Sequence, residues 1–209
     1  MTKKQFWNQL LLFVVALLLI LLTREYFFQY LIENGIESYK THTFLSIGAN
    51  LILIFISLFF IRKNKLEKIA GIKGTKLKRW YLIIFPLIYL VLLNAFIMDD
   101  INTDILLPSI LFLLIYSISI GFAEELSIRG FMQSHLINYL GNTKKNIIFS
   151  VFSSALFFGL IHLVNFDKGI YGELSQVCFA TFIGVMFGFL LVITKRIYPL
   201  IIVHAIIDF

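Results

Sequence analysis

The sequence predicts an all-α protein: a polytopic transmembrane helical bundle with six to seven membrane helices and a cytoplasmic N-terminus. Three observations lead there. Uncharged apolar runs recur at roughly the 20-residue length that crosses about 30 Å of hydrocarbon as helix. The 209-residue chain is 59% hydrophobic and only 14% charged, outside the range of soluble globular domains. Its basic residues gather in alternate connecting segments, as the positive-inside rule requires. The runs are continuous rather than alternating, which excludes barrel strands, and unpaired backbone in lipid excludes everything else but helices.

The runs, in order, are Gln5–Leu22, Thr43–Ile61, Trp80–Met98, Ile105–Ala123, Asn146–Asn165 and Leu174–Thr194, with a shorter one at Tyr198–Phe209. The first follows Lys3 and Lys4 but is too long for a signal-peptide core, and no small-x-small cleavage site precedes Arg24; it is expected to be a retained helix. Pro86 predicts a kink in the third run, and Pro199 suits the start of the last. Gly184-Val-Met-Phe-Gly188 has the small-xxx-small spacing of packed membrane helices, and Gly48 reads the same way. Cys178, the single cysteine, has no internal disulfide partner and reads as a small buried hydrophobe.

With the N-terminus inside, the cytoplasmic side receives Lys3, Lys4, the eight basic residues of Arg62–Arg79, Arg129, Lys144, Lys145, Lys195 and Arg196, fifteen of the eighteen Lys and Arg. The net charge of +6 is therefore a topology signal, and nucleic acid is excluded as a partner. The Arg62–Arg79 cluster is expected to contact anionic membrane lipids. Residues 1–104 form the N-terminal helices and basic loop, residues 105–209 the chemical core, within one integrated membrane domain.

The polar residues inside the apolar runs point to chemistry, because intramembrane charge is costly unless it is paired or faces a polar cavity. Glu124-Glu125-x-x-x-Arg129 follows the fourth run directly. Glu125 and Arg129 are i, i+4 and share a helical face, so Arg129 neutralises Glu125 while Glu124 points elsewhere. A carboxylate so placed suits general-base work on water; the alternative is a solvated helix start with an ion pair. His162 stands alone in the fifth run, and His204 and Asp208 form an i, i+4 pair in the last. That pair reads as mutual satisfaction, as a supporting couple or as half of a metal site. Gln133, His135 and Asn138 are expected on a solvated face. Gly141-Asn142-Thr143-Lys144-Lys145 has strong turn chemistry. If it closes an antiparallel hairpin, Glu124 and His162, each nineteen residues from Thr143, lie level about 28 Å from the turn.

These residues resemble the motifs of the CAAX-protease and bacteriocin-processing (Abi) family of intramembrane endopeptidases, which includes the type II CAAX prenyl endopeptidase. EExxxR, FxxxH and HxxxN/D appear in order as Glu124-Glu125-Leu-Ser-Ile-Arg129, Phe158-Gly-Leu-Ile-His162 and His204-Ala-Ile-Ile-Asp208. Each is weak alone; three in order on consecutive helices are specific. The resemblance covers roughly Leu106–Phe209 and implies hydrolysis of peptide bonds in membrane-associated peptides. It implies that Glu124 and His162 position and deprotonate a water, and that His204 and Asp208 stabilise the oxyanion or orient the groups that do. Arg129 would hold Glu125, and Phe158 would pack beside the site. Where other members carry Asn, this chain has Asp208, and an ionised Asp donates no hydrogen bond. Zinc is the open cofactor: Glu124, His162, His204 and Asp208 are the residues that would hold it, yet no H-E-x-x-H is present and a water held by Glu and His needs no metal. Members usually continue past the last motif, so the resemblance implies a truncated sequence or a half-length last helix. It further implies a bacterial cell membrane and a role in bacteriocin or pheromone processing or self-immunity. A non-catalytic immunity or scaffold protein of the same fold is the alternative; a transporter would need an inverted repeat, and none is seen.

Overall fold

The computed structural model describes residues 1–74, 76–88, 92, 103–164 and 169–209. Its elements are α1 (Lys3–Glu33), α2 (Tyr39–Lys63), a 3₁₀ turn at Trp80–Ile83, α3 (Thr103–Glu125), a π-helical segment (Leu126–Gln133), α4 (Ser134–Leu140), α5 (Lys144–Ile161), a 3₁₀ turn at His162–Val164, α6 (Gly169–Thr194) and α7 (Tyr198–Ile207). There is no strand among the described residues. Among the described residues, five stretches are long and apolar enough to cross a membrane: Lys3–Glu33, Tyr39–Lys63, Ser109–Leu140, Lys144–Val164 and Gly169–Thr194. The sequence count of six to seven included Trp80–Met98, about half of which lies outside the described residues.

Local chemistry sets the helix ends. Thr2 and Gln5 form a capping box at the start of α1, with Gln5 N donating to Thr2 Oγ1 at 3.2 Å and Thr2 N to Gln5 Oε1 at 3.0 Å. Gly141 (φ +94°) ends α4, and Thr143 caps α5 by accepting from Asn146 N at 3.3 Å. The expected hairpin turn is therefore present. The long run through α3, the π segment and α4 overturns one expectation, because the fourth span does not stop at Ala123. It continues to Leu140, and Glu124 falls at the middle of Ser109–Leu140 rather than at an end.

The same run overturns two more. Arg129 is fully buried and so is not one of the cytoplasmic loop charges. Gln133 and His135 are also buried, whereas Asn138 is exposed as expected. Gln133 Nε2 donates to Gly188 O at 3.0 Å, and His135 stacks on Phe6 with its Nε2 3.2 Å from Phe6 O. The physical reason is the π segment, whose wider i→i+5 turns rotate every later side chain away from its 3.6-period position.

The bundle also presents large apolar side chains on its outside, as a lipid-embedded protein should, around a core that is itself mostly apolar with buried hydroxyls among it. Leu11, Leu19, Phe55, Leu111 and Phe182 are each more than half exposed on its outside, while Ser57, Ser117, Ser127, Ser134 and Ser150 are buried. Cys178 is exposed on the outer face of α6, contrary to its expected burial. Gly48 has no atom within 4 Å of an added Cβ, so it is not a packing contact. Gly184 and Gly188 are: an added Cβ would meet Ala155 Cβ at 2.9 Å and Val151 Cγ1 at 2.8 Å, so α6 lies hard against α5.

Gly121 positions the functional residues most directly. A Cβ there would meet Ile201 O at 2.7 Å and Ala205 N at 3.2 Å, so the backbones of α3 and α7 touch. Ser117 Oγ donates to Asp208 O at 3.0 Å further along the same contact. Numbers rise along α3 as they fall along α7, so the two helices are antiparallel, and His204 is carried to the turn that bears Glu124 and Glu125. At the other end of α7, Ile197 N donates to Gly71 O at 3.3 Å, and Lys78 N to Thr194 O at 3.0 Å. Lys68, Asn142 and Lys195 line one surface pocket nearby, and Phe6 stacks on Tyr139 at 4.1 Å. The basic connecting segments thus share one end of the bundle.

Overpacking a tight helix contact costs about 1–3 kcal/mol, so Gly121→Ala is expected to lower the melting temperature in detergent, whereas Gly48→Ala is expected to leave it within about 0.5 kcal/mol of wild type.

Candidate active site

The site is built at the junction of α3 and the π segment, where two carboxylates follow one another. Glu125 is fully buried and takes Arg129 NH1 at 2.9 Å, the i, i+4 pairing read from the sequence. The guanidinium is also fully buried and lies between two aromatic rings, 4.6 Å from the centroid of Phe158 and 5.5 Å from that of Phe187. Ring faces attract a desolvated cation, which offsets part of the cost of burying it. Glu124 points away from this pair, and its side chain keeps 30% of its accessibility.

His204 joins the two carboxylates. Its Nδ1 lies 2.8 Å from Glu125 Oε1 and its Nε2 3.2 Å from Glu124 Oε2, with Asp208 Oδ2 further off at 3.6 Å. Two nitrogen–carboxylate contacts need two protons, carried either as an imidazolium between two carboxylates or as a neutral ring beside one carboxylic acid. Either way Glu124, His204 and Glu125 together carry one negative charge, which Arg129 balances. Phe187 packs edge-on against the imidazole at 5.6 Å.

His162 stands at the end of α5, where the chain tightens into a 3₁₀ turn. Its Nδ1 lies 2.8 Å from Phe158 O. A carbonyl only accepts, so Nδ1 carries the hydrogen and Nε2 of the neutral ring keeps its lone pair. Phe158 sits edge-on to both histidines, with centroids 4.9 Å from His162 and 6.4 Å from His204. Glu124 and His162 line one cavity of about 90 Å³, together with Ser127 and with Arg24 and Asn50 from α1 and α2. That volume has room for a few water molecules. Glu124 and His162, expected at one level from their equal distance to the turn, thus line one cavity.

All seven residues singled out in the sequence therefore fall in one region. Asp208 is the outlier in chemistry: Oδ2 is buried without a hydrogen-bond partner, and as an ionised carboxylate it would only accept. The sequence reading missed Phe187, which nothing distinguishes within an apolar run. It also missed Asn50, a lone amide in the second run that the cost of intramembrane polar groups would have flagged.

The four potential ligands do not fit a zinc cage. Both nitrogens of His204 are engaged by carboxylates, which leaves that ring no free lone pair for a metal. Among the described residues no group of three or more His, Cys, Asp or Glu side chains is arranged to hold a metal ion.

Removing one partner of a buried ion pair leaves the other charge uncompensated, at a cost of about 3–5 kcal/mol. Arg129→Leu is accordingly expected to lower the melting temperature sharply, and Glu125→Gln/Arg129→Leu to recover part of the loss.

No curated protein and no solved structure matches this chain. The family model of the type II CAAX prenyl endopeptidase Rce1-like proteins matches residues 106–209, a stretch that holds every site residue from Glu124 to Asp208. Through that half of its length, this multi-pass membrane protein belongs to the Rce1-like family of proteases.

Proposed function

We propose that the protein is an intramembrane endopeptidase that hydrolyses peptide bonds of membrane-associated peptides, using a water activated by Glu124 and His162. The observation that carries this reading is the shared cavity: a partly accessible carboxylate and an imidazole with an open Nε2 line one water-sized space inside a buried charge cluster.

In the reaction, His204 holds Oε2 of Glu124, and a water taken into the shared cavity would be held between the other carboxylate oxygen and His162 Nε2. Glu124 takes a proton as the water oxygen bonds to the scissile carbonyl carbon, giving a tetrahedral oxyanion. When that intermediate collapses, the C–N bond breaks and Glu124 returns the proton to the departing amine. His204 acts as an orienting group, fixing both carboxylates, with Arg129 and the two phenylalanine rings behind it. Bacteriocin or pheromone precursors in a bacterial cell membrane are the substrate class that the motif resemblance suggests.

The test is cleavage in proteoliposomes of two peptide sets, farnesylated CAAX-tailed peptides and unmodified amphipathic peptides, read by mass spectrometry. Wild type is expected to cleave one set. Glu124→Gln and His162→Ala are expected to lose about 10²–10⁴-fold in rate, the usual worth of a positioned general base. Cleavage at the wild-type rate by both variants would end the protease reading.

A second expectation concerns His204. His204→Gln keeps a single donor nitrogen that cannot span both carboxylates, so it should lower kcat by about 10²-fold or more while the protein still folds. Parallel rate and melting measurements check this.

A further inference from the structure

Peptide hydrolysis through the proposed site needs a hydrogen-bond donor for the oxyanion of the tetrahedral intermediate, usually the largest single electrostatic contribution to such reactions. Four polar groups of the site, His204, His162, Asp208 and Ser127, do not supply one readily, which leaves Arg24 and Asn50 on the cavity wall. His204 spends both ring nitrogens on Glu124 and Glu125. His162 spends its Nδ1 hydrogen on Phe158 O and faces the cavity as an acceptor. Asp208 is a carboxylate, and Ser127 uses its single hydroxyl hydrogen on Ala123 O at 2.6 Å.

Asn50 of α2 is different. It is half-buried and lines the same cavity as Glu124 and His162. Its Nδ2 lies 2.9 Å from Ser119 Oγ on α3. Ser119 Oγ itself donates its one hydrogen to Tyr116 O at 2.7 Å, so it can only accept from Asn50. That chain of bonds settles which way the amide faces: the nitrogen is toward Ser119 and one N–H is consumed there. The second N–H has no other partner among the described residues. A side-chain amide held in one orientation beside a water-activating carboxylate is a preorganised donor, with no reorganisation needed as charge develops.

We propose that Asn50 is a catalytic residue of the hydrolysis described above, donating its second amide N–H to the oxyanion, and that Ser119 is the positioning residue that aims it. The inference rests on the endopeptidase reading. As the water oxygen bonds to the carbonyl carbon, the carbonyl π pair moves onto oxygen. Asn50 stabilises that charge while the water proton resides on Glu124. When the pair returns and the C–N bond breaks, Asn50 releases the product carbonyl.

The test compares wild type with Asn50→Ala, the near-isosteric Asn50→Asp, Asp208→Asn, Asn50→Ala/Asp208→Asn and Glu124→Gln. Each is reconstituted in proteoliposomes with the peptide that wild type cleaves. Loss of an oxyanion donor is expected to lower kcat about 10²–10³-fold with KM little changed, in both Asn50 variants. Melting temperatures should stay near wild type for Asn50→Asp. Asp208→Asn places a new amide beside the site, so the double variant is expected to regain about tenfold or more over Asn50→Ala, a recovery that a purely structural role for Asn50 would not show. Wild-type rates in both Asn50 variants, with Glu124→Gln inactive, would overturn the assignment and leave the Glu124 reading standing. Wild-type rates in Glu124→Gln as well would overturn both. A rate loss in Asn50→Asp that follows its melting temperature, with no recovery in the double variant, would also overturn it.

Discussion

Glu125 and Arg129 are two opposite charges with no solvent access, 2.9 Å apart on one helical face, and the neighbouring helices are arranged around them. Burying such a pair is costly unless neighbouring groups compensate it, and here the compensation is partial: among the described residues Arg129 Nε and Nη2 and Glu125 Oε2 have no hydrogen-bond partner. Phe158 from α5 and Phe187 from α6 cover the guanidinium, and His204 from α7 takes the carboxylate oxygen that Arg129 also takes. Three helices are thereby tied to a single turn of a fourth. The same arrangement separates the roles of two adjacent carboxylates, because Glu125 is committed to the cluster while Glu124 stays partly open to a cavity.

The π segment is the second device. It begins at Leu126, directly after the carboxylates, and brings Arg129 inward together with Gln133 and His135. Wider turns leave backbone groups less well paired, and nearby hydroxyls supply partners: Ser134 Oγ donates to Arg129 O at 2.9 Å and Ser127 Oγ to Ala123 O at 2.6 Å. π-helical turns are often found at functional sites because they re-aim side chains at modest cost. Here the re-aimed residues face α6 and α1, and Gln133 seals the close approach at Gly188.

Helix packing in lipid has little hydrophobic drive, so contact depends on small residues and interhelical hydrogen bonds. Gly184 and Gly188 set α6 on α5, and Gly121 sets α7 on α3. The hydrogen bond between the Ser57 and Ser127 hydroxyls at 2.9 Å joins α2 to the π segment. Through these approaches the ten-residue α7, which is short for a membrane crossing, still delivers His204 accurately.

The sequence by itself determined the helical membrane class, most of the span positions, the Glu125–Arg129 pairing and seven candidate residues that the fold gathers into one region. These follow from local rules: apolar run length, i, i+4 spacing, turn chemistry and motif order. Even the meeting of Glu124 with His162 was legible, since a hairpin with a well-marked turn converts residue counts into height. Tertiary structure alone decided that Glu124 lies mid-helix in its span, that Gln133 and His135 are buried, that Cys178 faces outward, that Asn50 lines the cavity with Glu124 and that Phe187 packs against Arg129 and His204. The π segment changes helical phase without a sequence signature, and neither a phenylalanine nor an asparagine in an apolar run announces which neighbour it will touch. Those outcomes depend on how helices far apart in sequence are rotated against one another, and the rotation is set by the buried charge cluster and the glycine contacts around it.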